Sequence, residues 1–532
     1  MPTRQGDRRP KSSLTVTTPS LLAAALVAGL LGAAPASADT DGLADLRADL
    51  DALLADPSLA GGTSGVVVRS LDNGEVLYRN EPDASLLPAS NNKLLTTAAA
   101  LDVLGTDHRF STRVVAASRP RHGTLRGDLH LVGTGDPSLT VEVFDRLAAD
   151  VAAAGVTTVT GDLVADDSWF DDQRLPSDWE EGDLQYYYAP QISALTPAAN
   201  ADLDTGVVAV RITPGESAGD PVTTALEPAT DYVSVDNRAT TGDPWSVGVD
   251  RALGGNTITV TGAMPPGDQG FTTMRTVHEP TGYAADLFAR ALADHGVEVR
   301  GDAVRGEAPG DAVAVARHDS AELGELLVPL LKLSNNGHAE ILVKAIDRET
   351  GGDGGWEDGL SEVELALTRI GLDTSDLELT DGSGLSRGNR LSAGLLADLL
   401  EEAPDEPWFA AWSAALPVAG VDGRLEGGTL ENRMRGTSAE GNVRAKTGTL
   451  TAASALSGYV TGADGESLLF SVVNNGYTGA APRPVQDAIA VRLADFSRTA
   501  PTSDATAGAV PRQRLLSDPA ADHLECSWVE AC

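Results

Sequence analysis

A serine and a lysine three residues apart suggest nucleophilic chemistry at the start of a helix. In the stretch PASNNKLL, Ser90 is followed by Lys93, and residues i and i+3 share one helix face. A serine hydroxyl is a poor nucleophile until a base removes its proton. A lysine can be that base only while neutral, which requires a buried or electropositive setting that lowers its pKa. Arginine cannot take this role, because it does not deprotonate in proteins.

The composition of the chain adds weight to this lysine. The sequence has 34 arginines and only 5 lysines, so an ordinary surface cation in this protein is nearly always an arginine. Ser-x-x-Lys also arises by chance, however. Ser90 as a helix N-cap and Lys93 as a solvated cation are the alternative interpretation.

Two further polar motifs follow. Ser334-Asn335-Asn336 interrupts two apolar helical stretches and offers a hydroxyl that can relay protons and an amide that can bind a peptide group. An ordinary helix–helix turn has the same composition. Lys446-Thr447-Gly448-Thr449 opens a β-rich run. It supplies a charge, hydroxyls for a carboxylate and a glycine that permits close backbone approach, although a strand with a small turn would also fit.

Ser-x-x-Lys, Ser-x-Asn and Lys-Thr-Gly, in this order, resemble the signature of the active-site-serine penicillin-recognising enzymes. The interval between Lys93 and Ser334 is far longer than a compact β-lactamase-type domain needs. The chain therefore resembles the class C low-molecular-mass penicillin-binding proteins, in which two domains are inserted, one within the other, between the first two motifs. Other stretches share the resemblance: LVGTGDPSL at 131–139, YAPQISALTPAAN at 188–200, LTDGSGLSR at 379–387 and VDGRL at 421–425.

This resemblance implies an α/β fold. We expect a β-lactamase/transpeptidase-like domain, an antiparallel sheet flanked by helices, formed by residues 39–110 and 276–498. Short Val/Thr/Leu runs between Gly, Asp and Pro predict a β-rich region at 111–275. The resemblance implies that this region is an insertion made of two nested domains.

Both termini have the composition of segments outside the fold. Residues 1–38 combine a basic start, a short apolar run and small residues before a cleavage site, which predicts a signal peptide rather than a membrane anchor. Residues 499–532 are rich in Pro, Ala, Thr and Asp and predict a flexible tail. This tail holds Cys526 and Cys532, a candidate disulfide of an exported protein. We expect the mature protein to be extracellular or associated with the cell wall.

The resemblance also implies roles for the motif residues. Ser90 would attack the carbonyl between two terminal D-alanines, with Lys93 as general base. Ser334, helped by Lys446, would pass the proton to the leaving amine, and Asn336 would hold the substrate amide.

The third motif would bind the C-terminal end of the substrate. Thr447 and Thr449 would bind its terminal carboxylate, on either side of Gly448. The backbone N–H groups of Ser90 and Thr449 would form the oxyanion hole.

A pocket for the acyl side of the substrate is also implied. Leu385 and Arg387 would line it, and an arginine there suits a diamino acid that carries a carboxylate. An arginine on a surface loop is the alternative. Trp179, Asp183 and Tyr188 of the inserted region would complete the pocket.

The sequence thus predicts an exported serine D-Ala-D-Ala carboxypeptidase, also an endopeptidase, that cleaves peptidoglycan stem peptides and binds penicillin covalently. A β-lactamase or esterase on the same core, or an inactive wall-binding homologue, are the alternatives. The long insertion argues against the former and the intact motifs against the latter. A net charge of −38 without a basic stripe argues against nucleic acid and anionic membranes as partners. We expect no metal and no other cofactor, because neither a metal-ligand cluster nor a phosphate loop is evident.

Overall fold

The computed structural model describes residues 41–499. The α-helices of this part of the chain are α1 Asp41–Leu54, α2 Asn92–Leu104, α3 Val141–Ala153, α4 Pro280–Asp294, α5 Leu323–Lys332, α6 Asn336–Thr350, α7 Trp356–Ile370, α8 Ala393–Glu402, α9 Phe409–Ala414 and α10 Arg483–Ala494. The strands are β1 Thr63–Ser70, β2 Val76–Asn80, β3 Ser111–Ala116, β4 Thr124–Leu125, β5 Leu129–Val132, β6 Thr158–Val159, β7 Leu163–Asp166, β8 Val207–Thr213, β9 Thr223–Glu227, β10 Ser234–Asn237, β11 Thr240–Thr241, β12 Gly248–Arg251, β13 Thr257–Thr261, β14 Ala263–Met264, β15 Phe271–Thr276, β16 Glu298–Val299, β17 Ala303–Arg305, β18 Val313–Asp319, β19 Arg444–Leu450, β20 Ala453–Thr461 and β21 Ser467–Asn475.

One five-stranded sheet unites the two ends of the described chain. Its order is β19-β20-β21-β1-β2, and every neighbouring pair is antiparallel. Side chains alternate between its faces. Val66 and Val68 of β1 pack in a core with α1 and α10, whereas Val67 packs in the core that contains α2, α6 and α8. The predicted antiparallel sheet flanked by helices is confirmed.

The chain between α2 and α5 forms a second core with its own sheets. A five-stranded sheet has the order β17-β7-β5-β3-β18, and α3 and α4 pack together beside it, with the rings of Phe144 and Phe288 6.2 Å apart. The strands β8–β15 make three smaller sheets, and in the chain they lie between β7 and β17.

This second core extends further along the chain than the sequence indicated. Residues 280–319 were assigned to the catalytic domain, but β17 pairs with β7 and β18 pairs with β3. The boundary predicted at residue 275 is therefore too early. It was placed where the helical pattern of α4 begins, and local periodicity does not reveal which sheet a later strand joins.

The predicted signal peptide at 1–38 lies outside the described residues, as does the predicted tail except for Thr499. Within residues 41–499, no helix has the length and apolar character needed to cross a membrane.

Candidate active site

Ser90 lies in a single 3₁₀ turn, Ala89–Asn91, immediately before α2. Asn91, not Ser90, is the N-cap of α2, and its side chain makes no capping hydrogen bond, so the capping interpretation of Ser90 does not apply. The turn is packed tightly against the loop at residues 381–386: a Cβ on Gly384 would lie 1.9 Å from the carbonyl oxygen of Ala89. Ser90 is 8% exposed, which leaves its hydroxyl at the edge of the core.

Lys93 is fully buried beneath this serine. Its Nζ lies 2.8 Å from Ser90 Oγ, 2.6 Å from Asn336 Oδ1 and 2.8 Å from the carbonyl oxygen of Ser383. The amide of Asn336 is itself oriented, because its Nδ2 donates to the carbonyl oxygen of Tyr188 at 2.7 Å. Asn336 of the second motif therefore contacts both Lys93 of the first motif and the inserted region.

Ser334 lies where one helix ends and the next begins. Its φ of 59° is in the left-handed region, which a residue other than glycine enters only when its surroundings hold it there. Asn335 then caps α6, since its side chain accepts from the backbone N–H of His338 at 3.1 Å. This tight reversal leaves Ser334 Oγ 2.8 Å from Nζ of Lys446, which is fully buried on β19.

Strand β19 runs directly beside the serine turn. A Cβ on Gly448 would lie 2.9 Å from the carbonyl oxygen of Pro88 and 3.0 Å from the backbone nitrogen of Ser90, so glycine permits the close approach. Asn91 Nδ2 donates to the carbonyl oxygen of Lys446 at 3.0 Å and ties the turn to the strand.

The two threonines of the third motif flank this point of contact. Thr447 and Thr449 are both mostly buried. Thr447 Oγ1 donates to Thr429 Oγ1 at 2.8 Å, and Thr429 is a neighbour that the motifs did not predict.

The expected acyl-side residues separate into an apolar and a polar group. Trp179 and Leu385 are buried in one small apolar cluster, into which Tyr188 packs. The indole N–H of Trp179 donates to Asp381 Oδ2 at 2.8 Å, so this residue also anchors the loop at residues 381–386.

The polar group lies at the surface. Arg387 is partly exposed, and its guanidinium donates to Glu180 Oε1 at 2.8 Å and to the carbonyl oxygen of Thr451 at 3.2 Å. Glu180 was not among the predicted residues. Tyr188 donates its hydroxyl to Asp183 at 3.0 Å. Burial raises the pKa of Asp183, and this hydrogen bond opposes the shift.

Sequence reasoning missed one loop that contacts Lys93 and the carboxylate that binds this loop. Ser383 contributes a carbonyl oxygen, and Glu340, on α6 with Asn336, binds the backbone of the same loop. Within the LTDGSGLSR stretch, only Leu385 and Arg387 were predicted to be site residues. The spacing of four residues between Asn336 and Glu340 was the available signal, because such residues share a helix face.

Comparison with known proteins agrees with this geometry. The profile of the D-Ala-D-Ala carboxypeptidase 3 (S13) family matches residues 46–496. The chain belongs to this family. The predicted resemblance and enzyme class, a D-Ala-D-Ala carboxypeptidase among the low-molecular-mass penicillin-binding proteins, are confirmed at the level of the family.

Individual members of the family support the same assignment. A D-alanyl-D-alanine carboxypeptidase of Actinomadura sp. (strain R39) is 53% identical over 514 residues, which is 94% of each chain. The crystal structure of penicillin binding protein 4 (dacB) from Haemophilus influenzae superposes with a TM-score of 0.73 at 25% identity, covering 84% of this chain and 98% of that one. A structure of the same Haemophilus protein in complex with a β-lactam has a TM-score of 0.68.

Proposed function

We propose that this protein is an exported serine D-Ala-D-Ala carboxypeptidase, and also an endopeptidase, that cleaves peptidoglycan stem peptides through an acyl-enzyme on Ser90. The observation that carries the proposal is the contact of 2.8 Å between Lys93 Nζ and Ser90 Oγ, made by a lysine that is wholly buried.

The neighbours of Lys93 suit a general base. A neutral amine has two N–H bonds and one lone pair. The carbonyl oxygens of Asn336 and Ser383 accept hydrogen bonds and cannot donate them, so they match the two N–H bonds. An amine bound in this way directs its lone pair toward Ser90 Oγ, ready to take the proton as the hydroxyl attacks.

The leaving amine of the substrate needs a proton in the next step. The hydroxyl of Ser334 can donate this proton. Lys446 Nζ lies 2.8 Å from Ser334 Oγ and can then return a proton to it. The backbone N–H groups of Ser90 and Thr449 form the oxyanion hole in this proposal, and losing one such donor typically costs about 10²–10³ in rate. Water then releases the acyl group.

The polar and charged side chains around Ser90 indicate how a substrate would be bound. Thr447 and Thr449 offer hydroxyls to the terminal carboxylate, and Asn336 offers an amide to the peptide. On the acyl side, Arg387 stands beside Glu180 and near Asp183. A diamino acid with both an ammonium and a carboxylate group complements this mixed charge.

A fluorescent penicillin tests the proposal. We expect it to label the purified protein covalently, and we expect Ser90→Ala to abolish the label while the melting temperature stays close to that of the wild type. Ser361→Ala, at an exposed serine on α7, is the matched control and should label normally. A wild-type protein that stays unlabelled would overturn the enzymatic proposal.

The substrate is tested separately by mass spectrometry. A stem peptide that ends in D-Ala-D-Ala should lose one alanine, and a crosslinked dimer should yield monomers. Failure on the dimer alone would remove the endopeptidase activity from the proposal. Rapid hydrolysis of penicillin, rather than a persistent acyl-enzyme, would indicate a β-lactamase instead.

A further inference from the structure

The loop at residues 381–386 contacts Lys93 through its backbone. The carbonyl oxygen of Ser383 lies 2.8 Å from Lys93 Nζ. A backbone carbonyl can be aimed only through the backbone on both sides of it, so whatever holds this loop controls one of the acceptors of the lysine.

Glu340 binds the backbone of this loop through its carboxylate. This residue is fully buried on α6, one turn after Asn336. Its Oε1 accepts from the backbone N–H of Ser383 at 2.8 Å, and its Oε2 accepts from the N–H of Gly382 at 3.0 Å. Oε2 also accepts from the indole N–H of Trp356 at 2.8 Å.

Helix α2 also binds the loop at residues 381–386, through hydrogen bonds to its backbone carbonyls. Thr96 Oγ1 donates to the carbonyl oxygen of Gly382 at 2.6 Å, and Asn92 Nδ2 donates to that of Asp381 at 3.0 Å. Asn92 and Thr96 flank Lys93 on this helix. The backbone around Ser383 is thus clamped between the helix of the lysine and the helix of Glu340.

We propose that Glu340 is a positioning residue for acylation, which aims the Ser383 carbonyl at Lys93 Nζ by holding the amides of Gly382 and Ser383. Helix α6 then acts on two acceptors of the lysine, because it carries Asn336 and holds Ser383 through Glu340. This inference rests on the proposed function, because it assumes that Lys93 is the base.

The three N–H donors around the side chain of Glu340 require a carboxylate at this position. Burial raises the pKa of Glu340, and the charge of Asp381 adds to the shift. All three hydrogen bonds nevertheless come from N–H groups, and a carboxylate can accept all of them. A glutamine of the same size would have to turn its own NH₂ group toward at least one N–H donor, so Glu340→Gln loosens the loop without opening a cavity.

Penicillin acylation kinetics across pH test this role. We expect Glu340→Gln to slow acylation by roughly 10- to 100-fold, since a small misplacement of a reacting group costs about this much. We also expect the acidic limb of the pH profile to move to lower pH. Loss of the carbonyl dipole and of the carboxylate charge favours neutral Lys93, so its pKa falls.

Trp356→Phe is the matched control, because it removes one donor to the same carboxylate and leaves the loop amides bound. We expect it to retain the wild-type acylation rate and pH profile. Glu340→Asp keeps the charge with a shorter reach and should recover part of the rate, and it replaces the glutamine variant if that one does not fold.

The outcomes separate this inference from the proposed function. An unlabelled wild-type protein refutes the function itself. A labelled wild type with a Glu340→Gln variant that acylates equally fast and with the same acidic limb refutes only the role of Glu340. Equal losses in Glu340→Gln and Trp356→Phe, with an unchanged acidic limb, would also refute it, because they would reflect general destabilisation.

Discussion

The four lysines within residues 41–499 differ in what surrounds each amine. All are buried: Lys93, Lys344 and Lys446 are 0% exposed and Lys332 is 3% exposed. In the active-site region, Lys93 and Lys446 each contact a serine hydroxyl. By contrast, Lys332 and Lys344 contact backbone carbonyls, and Lys344 also contacts a carboxylate. Burial is therefore common to the four lysines within residues 41–499, and contact with a serine hydroxyl distinguishes the two that we propose as catalytic.

Lys344 illustrates the structural setting. It forms an ion pair with Asp171, donates to the carbonyl oxygen of Gly354 at 2.9 Å and lies 3.9 Å from the ring centroid of Trp356. Burial lowers its pKa, whereas Asp171 opposes the shift. Because Asp171 belongs to the inserted region and Lys344 to α6, this lysine joins the two parts of the molecule.

The largest effect that the comparison predicts concerns Lys93. Lys93→Met should slow penicillin acylation by about 10²–10⁴, the usual contribution of a general base, while the protein still unfolds cooperatively. Stopped-flow acylation and thermal unfolding on the same preparation measure both quantities. Acylation at the wild-type rate would exclude Lys93 as the general base.

For Lys344 we expect a loss of stability and no change in acylation. Lys344→Met should lower the free energy of unfolding by roughly 3 kcal/mol, because it leaves the Asp171 carboxylate without its partner. The acylation rate of the folded protein should not change. Urea denaturation of this variant and of the double variant with Asp171→Asn provides the measurement, and the double variant should recover part of the loss. A single variant as stable as the wild type would contradict the structural role.

The smallest effect concerns Lys332, whose Nζ donates to the carbonyl oxygens of Leu416 and Glu426 at 2.5 and 2.7 Å. Burial lowers its pKa from 10.5 to about 8. Between these pH values the unfolded state binds more protons, so this group makes stability rise with pH. The stability of the wild type relative to Lys332→Met should increase by roughly 1 kcal/mol per pH unit in this window. Urea titrations at pH 7.5, 8.5 and 9.5 would show this, and a pH-independent difference would exclude it.

Local structure was well predicted from the sequence. The turn residues Asp72-Asn73-Gly74 are typical of a hairpin and join β1 to β2, and the polar break at Ser334 separates α5 from α6. The sequence pattern predicts a helix from about Val141 to Ala154, and the structure has one at Val141–Ala153. These features depend on periodicity and turn chemistry, which neighbouring residues determine. The boundary at residue 275 was placed too early because strand pairing is not a local property.

The sequence by itself determined the order, spacing and residue types of the three motifs, and with them the family and the class of reaction. Only the tertiary structure decided which groups surround the lysines. It brings Lys446 to Ser334 across 112 residues, pairs Arg387 with Glu180 and turns the Ser383 carbonyl toward Lys93. The last contact has no sequence signature at all, because every residue carries a backbone carbonyl and only the packing of the loop decides where this one points.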